Sequence, residues 1–341
     1  IHLYFNLIGT IIFMVVFYGI NAVIGGFAFL DTPANAAGIA VVHTLFNIGA
    51  VLLLYPFGNQ LVKLAQITIP EHADCGEPYV YRFSYQSGQH AYNRLHIYAG
   101  AHSRAKVILL CESEETGGMI SAIQTKVYAG EGAKVELYVV QTMNAEAVCL
   151  HDVGVSCEKD AAVKEVQLEL GGAEVYTGTL FELSGEESTA ELVSGYLGTG
   201  RQKIDMNYVA RHRGKKTKSN MQISGILKNE AKKLLRGTID FVHGCVGAKG
   251  DEKEDVLLVG DNMVNQTIPL ILCAEEDVEG NHGASIGKLD ENMLFYAATR
   301  GISPEEAQRL LTLAKIEAIN SQIPSEEVRG AVETYLKEQC I

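Results

Sequence analysis

EGAKVELYVV, Glu131 to Val140, enters a strand through a small residue and then alternates apolar and polar side chains. The same entry recurs at Ser103-Arg104-Ala105-Lys106-Val107, at Asp160-Ala161-Ala162-Val163 and at Ser188-Thr189-Ala190-Glu191-Leu192. Ala105, Ala133, Ala162 and Ala190 are thus separated by 28, 29 and 28 residues, and Ala231 follows after 41. The runs NRLHIYAG, AKVILLC, VQLELGG and DFVHG, divided by glycines and acidic turns, carry the same strand signal. A regular period of this size points to a solenoid, because one rung can bury its apolar face only against the next. The sequence therefore predicts a mainly β chain whose core, residues 82–289, is a parallel β-helix. A β-sandwich would also supply many short strands. The alanines are read as small residues that let the chain turn a tight corner, without chemistry of their own.

Charge divides the chain. It has 28 Lys and Arg against 41 Asp and Glu, a net charge of −13, yet only Asp31 and Lys63 fall within the first 70 residues. The acidic remainder lacks the basic footprint that phosphate binding needs, so no nucleic-acid partner is expected. Seven widely spaced cysteines with no CxxC pair indicate neither a disulfide framework nor a zinc knuckle, and fit a reducing, cytoplasmic setting for residues 72–341.

The uncharged front, residues 1–68, holds two apolar spans, Leu3–Leu30 and Thr32–Val62, each able to supply the roughly 20 residues of a bilayer crossing. Two transmembrane-like helices joined around Asp31-Thr32-Pro33, anchoring the chain to a membrane, are the simplest expectation; a buried helical hairpin is the alternative. The chain opens at Ile1 without a basic segment or a small-residue cleavage site, which points to a truncated membrane protein rather than a signal peptide. Within the spans, His2-Leu3-Tyr4-Phe5-Asn6 returns as His43-Thr44-Leu45-Phe46-Asn47. His2, Asn6, His43 and Asn47 are costly in lipid and are expected to face protein, water or an ion path. This H-x-x-F-N repeat, with Tyr55-Pro56-Phe57 after it, resembles the end of bacterial sodium/phosphate (Na/Pi) cotransporters. The Gln-Ser-Ser-rich segments expected of that family are absent, so transport by this chain alone is not expected.

Residues 69–81 read as a linker, and residues 290–341 as helices. Asp290 is placed to cap a helix ending at Gly301, where glycine suits a left-handed terminus. Ser303-Pro304-Glu305-Glu306 reads as a capping box with proline in the first turn, and a third helix starts at Ser325. Ala307, Leu310, Leu311, Ala314 and Ala318 form one apolar stripe at helical spacing, read first as intramolecular packing.

A second resemblance rests on this end of the chain. His282-Gly283-Ala284-Ser285-Ile286-Gly287, Leu289-Asp290-Glu291, Leu294-Phe295-Tyr296 and Arg300-Gly301-Ile302 are similar to the end of SufD-type subunits of the SUF iron–sulfur cluster assembly complex. Ile204-Asp205, His212, Thr217, Ser219-Asn220, Gly237-Thr238-Ile239-Asp240-Phe241, Val256-Leu257-Leu258 and Pro269-Leu270 agree with it. The resemblance implies a right-handed parallel β-helix followed by helices, and a non-catalytic scaffold working with a SufB-like subunit and a SufC-like ATPase. It implies that His282 acts at the interface with the SufB-like partner, where a transient iron–sulfur cluster, or iron, is shared. Imidazole is a suitable iron ligand when neutral; the plain alternative is a histidine that caps a tight last turn. Leu294, Phe295, Tyr296, Arg300, Leu310 and Leu311 would belong to the ATPase-docking helices. Gly280-Asn281 stands where many such sequences have Cys-Ser, and Glu254 falls where SufB has a cysteine. Cys245 and Cys273 are the nearest thiols in sequence and are weak ligand candidates, since an isolated cysteine is more often a small buried apolar residue. The family's N-terminal helical domain is replaced by the transporter-like segment.

No nucleotide site is expected: Gly283 to Leu289 has the wrong spacing for a phosphate loop and no hydroxyl after Lys288. Two other functions compete. One is a sodium-dependent phosphate transporter fragment carrying a soluble β-domain. The other is a β-helix carbohydrate-active enzyme, which needs paired carboxylates along one face.

Overall fold

Side chains that alternate inward and outward run through sixteen strands in a computed structural model of the chain, which describes residues 2–27, 49 and 67–339, with side chains of the first helix described from Thr10. The chain divides into two units, Ile1–Ile67 and Thr68–Ile341. The first contains α1 (His2–Val23), an uncharged helix that exposes Ile11, Met14, Val15 and Tyr18.

The strands are β1 (Ile67–Ile69), β2 (Tyr79–Tyr85), β3 (His90–Ala99), β4 (Arg104–Ser113), β5 (Ile120–Ala129), β6 (Lys134–Thr142), β7 (Val148–Cys157), β8 (Ala162–Glu169), β9 (Glu174–Leu183), β10 (Thr189–Gly198), β11 (Lys203–His212), β12 (Lys218–Lys228), β13 (Lys232–Phe241), β14 (Ala248–Val259), β15 (Val264–Cys273) and β16 (Val278–Lys288). Odd strands form one eight-stranded sheet and even strands the other, each in sequence order. The pairings are parallel, as in a solenoid of two strands per turn. Val148 pairs with Glu174 and Lys232 with Val264, so a turn takes between 26 and 32 residues.

The repeat expected from the alanines has the correct period but not the correct register. Ala105 and Ala190 share an inward column with Val135 and Val163, whereas Ala133 sits in the corner before β6 and Ala162 pairs with Lys134 and Thr189. Ala231 sits in the corner before β13, in the other sheet, which is why its spacing of 41 breaks the series. The true corner column is Ser103, Ala133, Ala161, Ser188, Thr217 and Ala248, all sealed from solvent. A left-handed residue precedes each of them: His102, Gly132, Asp160, Glu187, Lys216 and Gly247. Their amides bond to the next turn, as from His102 to the Glu131 carbonyl at 2.7 Å and from Gly132 to that of Lys159 at 2.8 Å. Glycine at position 132 leaves room for the His102 ring, which a β-carbon there would displace.

Three helices follow the last strand: α2 (Glu291–Thr299), α3 (Pro304–Asn320) and α4 (Glu326–Glu338). Their starts are those the caps announce: Asp290 accepts from the Asn292 amide, Ser303 from Glu306 and Ser325 from Val328. Gly301 is left-handed, with φ of 79°. The outward face of the even sheet is apolar at Ile108, Leu110, Tyr138, Val140 and Val166, and α3, α4 and the turn between them cover it with Ile316, Ile319, Ile323, Val328, Val332 and Leu336. The expected stripe on α3 is therefore corrected. Thr312, Ile316 and Ile319 are its buried side, Ala307 is buried near its start, and Leu310, Ala314 and Ala318 remain exposed.

The two membrane-type helices expected at residues 1–68 are also not supported. Over the described residues no helix is long and apolar enough to cross a membrane. The second span, Thr32–Val62, lies apart from Gly49 outside the described residues.

Candidate functional site

Among the described residues no layer lies above the final turn of the solenoid. β15 and β16 end their respective sheets, so each carries one hydrogen-bonding edge without a strand partner among the described residues. Ile271 and Ile286 are exposed there, although their inward counterparts one turn earlier, Ile239 and Val256, are buried, and Val264, Ile268, Leu270 and Leu272 are exposed on the outward side of β15. Apolar residues on a bare end of a β-solenoid mark a surface that a second chain can cover.

His282 lies in the middle of β16, exposed and in register with Glu252 of β14. The residues around it form an extended strand, which corrects the expectation of a tight last turn and disposes of the turn-capping alternative. Gly280 is small for another reason: a β-carbon there would stand 3.0 Å from Phe241 Cε2 and 3.1 Å from Ile271 Cγ2, across the lumen. Gly283 to Lys288 belong to the same strand, not to a strand–loop–helix phosphate cradle.

Beneath His282 the lumen is charged. Glu252 is 3% exposed, and its carboxylate lies against Gly237, where any side chain would collide with it. Burial, reinforced by the nearby Glu254 carboxylate, pushes the Glu252 acid up to about 7, and its Oε1 has no hydrogen-bond partner among the described residues. Lys233 of β13 pairs with Glu254, not with Glu252. Thr267 of β15 completes that pair, accepting from Lys233 Nζ at 2.9 Å and donating to Glu254 Oε2 at 2.7 Å. Burial lowers the Lys233 ammonium from its usual range, and the Glu254 carboxylate opposes that shift.

Deeper in the lumen a second polar cluster joins three turns. Gln167 bonds to Glu165 and, at 3.2 Å, to Thr179; Tyr208 donates to Gln167 Oε1 at 2.8 Å and meets Ser194 Oγ at 2.9 Å. Burial pushes Glu165 up to about 8 and Glu169 up to about 7. These carboxylates are enclosed by the sheets and are therefore not the open-face pair that a carbohydrate-active enzyme needs.

The two thiols named from sequence lie near one corner of the last turns. Cys273 ends β15 in register with Phe241, is exposed, and donates to the Glu275 carbonyl at 3.1 Å. Cys245 is buried in the turn after β13, where desolvation, with a smaller contribution from Glu275, raises its thiol. Neither joins His282: Glu252 faces Gly237, whose partner in the last turn is Pro269, and Cys273 is two inward positions beyond Pro269. Among the described residues no group of three or more His, Cys, Asp and Glu is arranged to hold a metal ion.

On α2, Phe295 and Tyr296 are exposed, Leu294 is half-buried, and the Arg300 guanidinium stands 5.2 Å from the Tyr296 ring centroid. Leu310 on α3 is exposed, whereas Leu311 packs against the core between helices and sheet. His2 and Asn6 fall in α1 ahead of its described side chains, and His43 and Asn47 lie outside the described residues.

Glu252 and Lys233 were not singled out from sequence, and Glu254 only as the position where SufB has a cysteine. Gly250-Asp251-Glu252-Lys253-Glu254-Asp255 reads as a solvated turn, and only its position as an inner strand turns alternate charges into the lumen.

The family model described as "SUF system FeS cluster assembly, SufBD core domain" matches residues 82–315, from β2 into α3. The chain belongs to this family. Among curated relatives of this SufBD-core chain is the iron–sulfur cluster assembly protein SufD of Bacillus subtilis, 22% identical over 218 residues, covering 64% of this chain and 50% of that protein. Another is the chloroplastic SufBD family protein ABCI8 of Arabidopsis thaliana, 27% identical, covering 63% of this chain and 40% of that protein. A Synechocystis SufBD family protein is 29% identical over 167 residues, covering 49% of this chain and 35% of its own length. The SufBD-core chain thus spans half or less of the length of these relatives. The family match starts at residue 82 and gives no support to the cotransporter resemblance of residues 1–68.

Proposed function

We propose that this SufBD-core chain is a non-catalytic, SufD-like scaffold subunit for iron–sulfur cluster assembly, whose solenoid closes end-on against a SufB-like partner. The observation that carries this is the bare last turn, which presents exposed apolar side chains, strand edges and the inward-facing His282 together. Covering it would bury the apolar residues and pair the edges. A cluster or iron held there is cargo shared between the two subunits, and His282 is this chain's nitrogen donor to it. The family likeness implies right-handed winding of the parallel, sequentially ordered strands.

Energy for rearrangement would come from a SufC-like ATPase docked on α2 and α3. Phe295, Tyr296 and Leu310 are large apolar side chains left exposed on those helices, and they support such a contact. The six described cysteines are free, which fits a reducing, cytoplasmic setting for residues 72–341. The uncharged, exposed face of α1 favours a lipid or protein contact for residues 1–68, which is what remains of the anchored or transporter-fragment alternative.

The test is co-expression of the full chain with a SufB-like and a SufC-like protein, followed by purification through a tag on this chain. A stable complex that charged substitutions at Ile271 and Ile286, the exposed inward positions of the last turn, abolish supports the end-on assembly. Failure to recover either partner, or recovery indifferent to those substitutions, refutes it.

A further inference from the structure

We infer that Glu252 is a second donor, beside His282, for the ferrous iron received at the open end of the solenoid. The inference rests on the scaffold function proposed above and deepens it from a lone histidine to a two-donor site.

Three observations bring the residues together. Glu252 and His282 are Cα partners on adjacent parallel strands and face the same lumen, so their side chains spring from points one strand spacing, roughly 5 Å, apart. Glu252 is buried with a partnerless Oε1, an expensive arrangement for a group that does nothing there. Its surroundings also keep it available. Lys233 is committed to Glu254 and Thr267, Met221 is its apolar in-register neighbour on β12, and Gly237 leaves the space the carboxylate occupies. No cation among the described residues neutralises Glu252.

An imidazole and a carboxylate projecting from neighbouring strands are a nitrogen–oxygen donor pair suited to a divalent first-row ion such as ferrous iron. The nearest thiols, Cys245 and Cys273, are at the corner, so the donor set this chain offers is one for iron rather than for sulfide sulfur. Two donors leave coordination positions open, and the partner closing the lumen is placed to fill them. Glu252 lies one layer below the end, so iron bound through both residues would sit inside the rim of the solenoid, shielded from water once the partner is seated.

The test uses the full chain in complex with its SufB-like partner, titrated anaerobically with ferrous iron alone. Wild type is compared with Glu252→Gln, Glu252→Asp, His282→Ala and the double variant Glu252→Gln/His282→Ala, and folding is checked by circular dichroism. Glu252→Gln preserves shape and removes a buried acid, and it is expected to weaken iron binding on the order of tenfold or more. The double variant is expected to lose little beyond His282→Ala, because both residues serve one ion. Should Glu252→Gln fail to fold, Glu252→Asp, which retracts the carboxylate by one methylene, gives the same comparison. Wild-type affinity in Glu252→Gln or Glu252→Asp with a clear loss in His282→Ala overturns the role of Glu252 and leaves the scaffold function standing. Undiminished binding in all variants overturns both.

Discussion

Ile319 of α3 fills a notch in β10 that exists because residue 195 is glycine: a β-carbon at Gly195 would stand 2.5 Å from Ile319 Cδ1 and 2.9 Å from Leu168 Cδ2. The helical layer is therefore keyed to the solenoid at this backbone position. Gly195→Val should overpack this contact and destabilise the protein by about 1–3 kcal/mol, with α3 and α4 becoming the first segments cut by trypsin. Wild-type midpoint in urea and an unchanged cleavage order would show that the helices are held elsewhere.

The Lys233–Glu254 pair has both side chains at 0% exposure. Removing one partner leaves an uncompensated buried charge, so Lys233→Met or Glu254→Gln should each cost about 3–5 kcal/mol. Lys233→Met/Glu254→Met should recover a large part of that loss, since an apolar pair has no charge to desolvate. Chemical denaturation of the three variants decides it; single variants within about 0.5 kcal/mol of wild type would contradict the burial of the pair.

Glu165 makes stability depend on pH in the direction opposite to a salt-bridged acid. Its folded value is raised from 4.5 to about 8 by burial, so between those values the folded protein holds a proton that the unfolded chain has released. Its contribution is most favourable below about pH 4.5 and falls as pH rises toward 8, by at most about 1.4 kcal/mol per pH unit. Relative to Glu165→Gln, wild type should lose stability steadily from pH 5 to 8. Parallel pH profiles for the two proteins would place a solvated carboxylate at this position.

Phe295 and Tyr296 are 73% and 60% exposed on α2. Phe295→Asp and Tyr296→Asp should leave thermal stability within about 0.5 kcal/mol of wild type, because neither side chain packs in the core. They should weaken capture of the SufC-like ATPase. Undiminished capture at matched concentrations would move the docking surface away from α2.

Much of this molecule is written locally. Asp290, Ser303 and Ser325 announce the three helix starts because a cap depends on one side chain and amides two or three residues on. The period of the solenoid is legible for a similar reason, since every turn repeats a corner followed by a strand. The register is less so: the corner column accepts Ser, Ala and Thr alike, so aligning alanines alone joins Ala133 to Ala105, which belongs to a different column. On α3 two stripes of similar apolarity compete, and only the position of the sheet selects Ile316 and Ile319 over Leu310 and Ala314.

The site divides along the same line. His282 was found through a resemblance at the end of the chain, and nothing in its local sequence distinguishes an open strand from a tight turn. Glu252 and Glu254 look like part of a solvated acidic run, because β14 buries its outward Leu257 as well as its inward Val256 and so erases the alternation that would reveal which charges face the lumen.

The most direct test of the proposed function is anaerobic cluster reconstitution on the complex of this chain with its SufB-like and SufC-like partners, measuring iron and sulfide per complex for wild type and His282→Ala. A scaffold that offers His282 at the open end predicts that the variant complex assembles with the same stoichiometry and carries little cluster. Equal iron and sulfide in the two complexes would contradict it.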